Sequence, residues 1–170
     1  MRLKEKVSVI TGAASGFGKG IAKRFSEEGA KLILVDINKD LLENVSKDLG
    51  HDFLHIDVGN SNDMQKLSEY VLNKYGTIDI MVNNAGITHS PKPLENVSEE
   101  EFDKVFQVNS KSVFLCGKYF VPHMKKKKKG SILNISSTAG ISPRPNLNWY
   151  NATKGWMITA TKAMAVELAP

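Results

Sequence analysis

Tyr150 and Lys154, four residues apart in "NWYNATKGWM", are the first pair in this sequence able to do chemistry. In a helix that spacing stacks them on one face, with an ammonium in reach of a phenol. A free tyrosine ionises near pH 10. A cation about 4 Å away, at an effective dielectric of about 20, stabilises the phenolate by on the order of 4 kcal/mol. Tyr150 is therefore a candidate acid–base group. Spacing alone does not make it one, because Tyr70 and Lys74 in "YVLNK" repeat the pattern. The two pairs keep different company. Thirteen residues before Tyr150 stands Ser137, just beyond an apolar run; at the same offset Tyr70 has Asp57. If the run is a strand and the segment from 149 a helix, Ser137 and Tyr150 converge on one small polar group. Ser136 competes for that role, or else faces the core or caps a turn.

A second constellation is "VITGAASGFGKGIAKRF", with Gly12, Gly16 and Gly18 between a strand-like and a helix-like segment. Its spacing is G-x-x-x-G-x-G and not the commoner G-x-G-x-x-G. The physics is shared: glycine permits positive φ and lets backbone N–H groups approach a pyrophosphate, and a helix N-terminus adds partial positive charge. Ser15 adds a hydroxyl donor. The alternative is a tight turn without a ligand. Asp36, at the end of the second apolar run, suits the hydroxyls of an adenosine ribose and would repel a 2′-phosphate, or it caps the helix over 38–48. Asp57 caps a helix or contacts adenine. In "NNAG" (83–86), Asn83 and Asn84 tolerate unusual backbone angles and Gly86 permits close approach.

These residues need a scaffold. Short apolar runs at 6–10, 31–36, 52–56, 79–83 and 131–136 have the length of buried strands. Helical spacing covers 17–29, 39–49, 61–75, 98–127 and 149–168. Ser61 and Ser98 are read as helix starts, with Glu101 at the capping-box position after Ser98. This alternation predicts a single-domain α/β fold: a doubly wound, Rossmann-like parallel sheet in three α/β/α layers. Ligands then bind at the carboxyl ends of the strands. The last helix, "WMITATKAMAVEL", is apolar or small on most of its circumference, so one side should face the sheet and another a second subunit.

The 170 residues suffice for one core, and 41% hydrophobic with 24% charged residues is ordinary for a globular chain. The net charge of +5 disappears when the run Lys125–Lys129 is set aside. The excess is one patch, read as a solvated lysine loop, and no nucleic-acid or membrane partner is expected. Cys116, the only cysteine, is expected to be a small buried apolar residue, and a reducing cytoplasm is the expected compartment. His51, His55, His89 and His123 lack metal-ligand spacing, His89 being free to line a substrate cleft; no catalytic metal is expected.

Taken together, "TGAASGFG", "NNAG", "VNS" (108–110), "SILNISSTAG" and "YNATK" resemble the short-chain dehydrogenase/reductase family from residue 1 to 170. The resemblance implies Tyr150 as general acid/base and Ser137 as the donor that polarises a substrate carbonyl. Lys154 would bind the nicotinamide ribose and favour the ionised phenol. Asn109 would hold a water linking Lys154 to solvent, or is simply a polar residue bending a long helix. Expected cofactor contacts are Gly12, Ser15, Gly16, Phe17 and Gly18 in the first loop, Asp36, Asp57 and Val58 at the next two strand ends, Asn84, Ala85 and Gly86 at the fourth, and Tyr150 and Lys154 themselves. Serine at position 15, often basic in NADP-using relatives, agrees with Asp36 in pointing to NAD.

The resemblance implies an NAD(H)-dependent oxidoreductase acting on a small-molecule secondary alcohol or ketone: a sugar, polyol, cyclic alcohol or 3-oxoacyl ester. Residues 87–98 would form one wall of the pocket. A homodimer or homotetramer is expected. Members of the family run on for about another 80 residues, so residues 1–170 are expected to be a dinucleotide-binding domain lacking its last strands and substrate loop. The alternatives are a non-catalytic nucleotide-binding regulator, which need not keep Ser137, Tyr150 and Lys154, and an inactive truncated fragment.

Overall fold

Residues 1–169 are described by a computed structural model. Five strands form the sheet: β1 (Val7–Thr11), β2 (Lys31–Asp36), β3 (Asp52–His55), β4 (Ile80–Asn83) and β5 (Ser131–Asn134). All pair in parallel, in the order β3-β2-β1-β4-β5. The chain winds outward from β1 in one direction and then returns to start again at β4. The strand order therefore reverses between β1 and β4, where a crevice opens at the carboxyl ends of an α/β sheet.

Alternation along the strands supplies two cores. Val7, Val9, Ile33, Val35 and Met81 point to one face, joined by Met64, Leu67 and Val71 of α3 (Ser61–Tyr75) and Leu115, Cys116 and Phe120 of α5 (Ser112–Lys127). Ile10, Leu32, Leu34 and Val82 point to the other, against Ala22 of α1 (Gly16–Glu27) and Leu42 and Val45 of α2 (Lys39–Leu49). The expected doubly wound, three-layer α/β/α architecture is the one that forms. The last helix, α6 (Asn148–Leu168), packs against α4 (Glu99–Phe106) and against the turn that follows β5.

Three local expectations are refined. The helical stretch expected over 98–127 runs unbroken from Glu99 to Lys127, with a π-helical turn at Gln107–Lys111 dividing it into α4 and α5. The extra residue turns Asn109, fully buried, toward α6 while each flanking helix keeps its own apolar face on the core. The cap of α3 is Asn60, whose side chain accepts from the N–H groups of Asn62 and Asp63; Ser61 instead pairs with the Tyr119 hydroxyl at 2.8 Å. The lysine run is not all loop. Lys125–Lys127 form the last turn of α5, where cations suit the free carbonyls, and Lys127 binds Asp79. The capping box at Ser98 and Glu101 forms as read.

Candidate active site

The exit of β1 is shaped by backbone as much as by side chains. Gly12 and Gly16 have φ of +65° and +51°, in the left-handed region where side chains are strained. Gly16 opens onto free space, whereas a Cβ at Gly18 would overlap the Gly12 carbonyl. Gly18 therefore serves the packing of the loop on its own helix, and only its backbone is left for a ligand. Ser15 is the cap residue of α1, and its side chain makes no capping bond. The first N–H groups of the helix are thus left to an incoming anion. Phe17 stands 82% exposed beside them.

Asp36 ends β2. Its carboxylate accepts from Ala14 N at 3.0 Å and from Asn38 N at 2.9 Å. It braces the glycine loop rather than capping α2, whose cap is Asn38. Asp57 accepts from Gly59 N at 2.8 Å and caps no helix. Val58, assigned above to the cofactor, turns its side chain into the core.

The loop after β4 joins the two halves of the crevice. Asn84 points inward: its amide donates to Thr11 O at 2.8 Å and Gly12 O at 3.2 Å, while Thr11 Oγ1 accepts from Asn84 N and Ala85 N, both at 3.0 Å. On the other side, a Cβ at Gly86 would stand 3.3 Å from both Asn109 Oδ1 and Lys154 Nζ. Those two groups therefore converge on this glycine.

Asn109 is more heavily engaged than the sequence suggests. It accepts from Ile87 N at 2.9 Å and donates to Ile87 O at 2.8 Å and Thr153 Oγ1 at 3.0 Å. Thr153 in turn donates to the Tyr150 carbonyl at 2.7 Å. The amide N–H groups are thus both taken by protein, and only Oδ1 retains capacity for a water.

Ser137 leads into a short 3₁₀ turn, Thr138–Gly140, and its Oγ accepts from Ala139 N at 3.1 Å, leaving the hydroxyl proton free to donate. That turn lies directly on α6. Ser136 is occupied elsewhere, donating to the Lys154 carbonyl at 2.9 Å. Lys154 is 5% exposed, and its ammonium, donating to Ile135 O at 2.9 Å, lies 5.9 Å from the centre of the Tyr150 ring. Burial holds its pKa below the ordinary lysine value. Among the described residues the one side-chain hydrogen bond to Tyr150 is the one its carbonyl accepts from Thr153 Oγ1, and none reaches its hydroxyl.

The look-alike pair has the opposite setting. Lys74 Nζ donates to Tyr70 OH at 3.3 Å, yet Tyr70 also donates to Asp52 at 2.9 Å. Burial and that carboxylate raise the Tyr70 pKa, and burial first, then Asp52, pushes neighbouring Tyr75 up to about 12.

Sequence reasoning missed Thr11, Thr153, Gly140 and the Ile135 carbonyl, all of which hold other site residues. Thr11 and Thr153 had a faint signal, as polar residues at a strand end and inside the Tyr150–Lys154 turn. A backbone carbonyl leaves no mark in a sequence.

The model of the family described as short chain dehydrogenase matches residues 6–170. The chain is 38% identical to a 4-formylbenzenesulfonate dehydrogenase of Comamonas testosteroni, covering 99% of this chain and 69% of the relative. It is 42% identical to a 3-oxoacyl-[acyl-carrier-protein] reductase of Thermotoga maritima, covering 99% and 70%. The crystal structure of a 3-ketoacyl-(acyl-carrier-protein) reductase from Brucella melitensis complexed with NADH superposes with a TM-score of 0.95 at 46% identity, covering 98% of this chain and 71% of that one. The chain thus spans about seven-tenths of the length of these three proteins.

Proposed function

The chain belongs to the short-chain dehydrogenase family of nicotinamide-dependent oxidoreductases, and from that premise we propose that it interconverts a secondary alcohol and a ketone with NAD(H). The observation that carries the reading is the Tyr150–Lys154 pair beside Gly86, with Ser137 on the turn against the same helix. The fit to a dinucleotide rests on the open side of Gly16 and the uncapped start of α1. When bound, nicotinamide supplies the hydride acceptor or donor. Gly12, Ser15, Gly16 and Phe17 would hold the pyrophosphate end, with Gly18 shaping the loop, and Asp36 the adenosine ribose. Asp57, Val58 (through its backbone), Ala85 and Gly86 would border the remainder, and Asn84 would keep the two strand ends together.

In the oxidising direction Tyr150 takes the alcohol proton, and in the reducing direction it returns one. Ser137 donates to the substrate oxygen. Lys154 binds the ribose and sets its positive charge beside the Tyr150 ring. Asn109 Oδ1 and Lys154 Nζ, facing each other across Gly86, suit a water between them that would pass the proton to solvent.

A carboxylate at Asp36, with serine at 15, favours NAD over NADP, since a 2′-phosphate would meet like charge. The substrate is a small molecule of the sugar, polyol, cyclic alcohol or 3-oxoacyl class. The relatives named above act, by their descriptions, on an aromatic aldehyde and on 3-oxoacyl groups. A homo-oligomer, dimer or tetramer, would form through the exposed side of α6. A cytoplasmic setting suits a chain whose one cysteine, Cys116, is free and buried, its thiol pushed up to about 12 by desolvation. No helix among the described residues is long and apolar enough to cross a membrane.

The test is a panel of alcohols and ketones with NAD(H) and NADP(H), read by absorbance of the reduced cofactor. Wild type should turn over at least one pair with NAD preferred, and Tyr150→Phe should lose roughly 10²–10⁴-fold in kcat while NADH binding survives. Near-normal activity in that variant would remove Tyr150 from the chemistry.

A further inference from the structure

Lys154 is gripped at both ends by the exit of β5. Ser136 Oγ donates to its carbonyl oxygen at 2.9 Å, and its own ammonium donates to the carbonyl of Ile135, the preceding residue, at 2.9 Å. Gly140 closes the grip. A Cβ there would stand 2.7 Å from the Lys154 carbonyl carbon and 2.8 Å from its oxygen and from Gly155 N. The turn therefore lies backbone to backbone on α6, with no side chain between. Gly155, a weak helix former inside a helix, fits the same contact, since the Gly140 carbonyl lies 3.4 Å from the place its Cβ would take.

Tyr150 is held from another element. Its carbonyl receives Thr153 Oγ1, and Thr153 receives Asn109 Nδ2 from the π-helical turn. The helical turn bearing the phenol and the ammonium is thus tied at its first carbonyl to the α4–α5 junction and at its last to β5. The only other side-chain bond among the described residues between β5 and α6 is Asn134 Nδ2 to Thr161 Oγ1 at 2.9 Å, two turns further along.

We propose that Ser136 is the positioning residue of the Lys154 ammonium. By anchoring the Lys154 carbonyl it fixes the rotation and depth of α6 at that turn, and with them the place of Nζ relative to the Tyr150 ring and the ribose site. This rests on the roles given above to Tyr150 and Lys154. The serine that competed with Ser137 for the substrate acts on the lysine instead.

The experiment compares wild type, Ser136→Ala, Asn134→Ala and the isosteric pair Ser136→Thr and Ser136→Val, which differ only in the hydroxyl. NADH affinity is read by protein fluorescence, and kcat against pH is read in alcohol oxidation. Ser136→Ala and Ser136→Val should weaken NADH by about 3- to 5-fold, lower kcat by roughly 10-fold and move the rising limb of the profile about half to one pH unit upward. Ser136→Thr should stay within about 2-fold of wild type in both. Asn134→Ala should lower the melting temperature and leave NADH affinity and the pH profile in place. Wild-type affinity and an unshifted profile in Ser136→Ala, or the Ser136→Ala pattern reproduced by Asn134→Ala, would overturn the proposal. If Ser136→Ala does not fold, the Thr/Val pair decides by the same readings. Wild type that neither binds NADH nor oxidises any alcohol would remove the functional reading and this inference together, whereas active wild type matched by Ser136→Ala removes this inference alone.

Discussion

Two tyrosine–lysine pairs at identical spacing differ in this molecule by what else touches the phenol. At Tyr70 a carboxylate accepts the hydroxyl proton and burial opposes ionisation. At Tyr150 the ammonium lies at 5.9 Å from the ring centre, and no carboxylate accepts the hydroxyl among the described residues. The arrangement has a cost at Lys154, whose charge is buried with one carbonyl as acceptor. An unfolded lysine keeps its ordinary value and the folded one is lowered, so between the two values the folded state holds fewer protons. This group's contribution to stability accordingly improves as pH rises through that window and is least favourable below it. Lys154→Met should therefore raise the melting temperature of the protein without cofactor by about 2–5 °C at pH 7. The gain should shrink toward the ordinary lysine value, near pH 10.5, while turnover is lost. Calorimetry at several pH values checks this; a lower melting temperature at pH 7 would mean that the ammonium is a net stabiliser.

The elements were legible because each carried its own punctuation. Short β-branched runs, glycine turns and the box at Ser98 place five strands and most helices within about two residues. The box itself is open to measurement: Ser98→Ala removes an acceptor for Glu101 N and should cost about 1 kcal/mol in urea unfolding. No loss would show that Glu99, Glu100 and Glu101 hold the helix start through the dipole alone. The π-helical turn was not legible, since its cause is tertiary: Asn109 reaches Ile87 and Thr153, both remote in sequence from 109. The same limit applies in the site. A glycine signals close approach without saying to what, and the missing Cβ of Gly18 makes room for the Gly12 carbonyl. An asparagine signals hydrogen bonding without naming the partner, and the Asn84 amide goes to Thr11 O and Gly12 O. Ser136 and Ser137, adjacent in sequence, are told apart there by the family resemblance, which favours Ser137 for the substrate; the group that Ser136 binds instead, the Lys154 carbonyl, is visible only in the structure.

At the scale of the whole molecule, α6 faces two ways. Asn151, Thr153, Lys154 and Met157 are buried, while Ala152, Trp156, Thr159, Ala163 and Val166 form an exposed stripe at alternating spacings of the heptad pattern. Trp156 is 41% and Val166 80% exposed. Light scattering should give a homo-oligomer for the wild type and a monomer for the double variant Trp156→Glu, Val166→Glu, with NADH still bound. A wild-type monomer would leave that stripe without the proposed subunit contact. The bend after β4 spans the molecule in a different sense. Asn84 grips the loop that would cradle the dinucleotide, and two residues later Gly86 makes room for the groups that would move the proton. A substitution at this bend would therefore be felt on both sides at once, at the glycine loop and at the Asn109–Lys154 pocket alike.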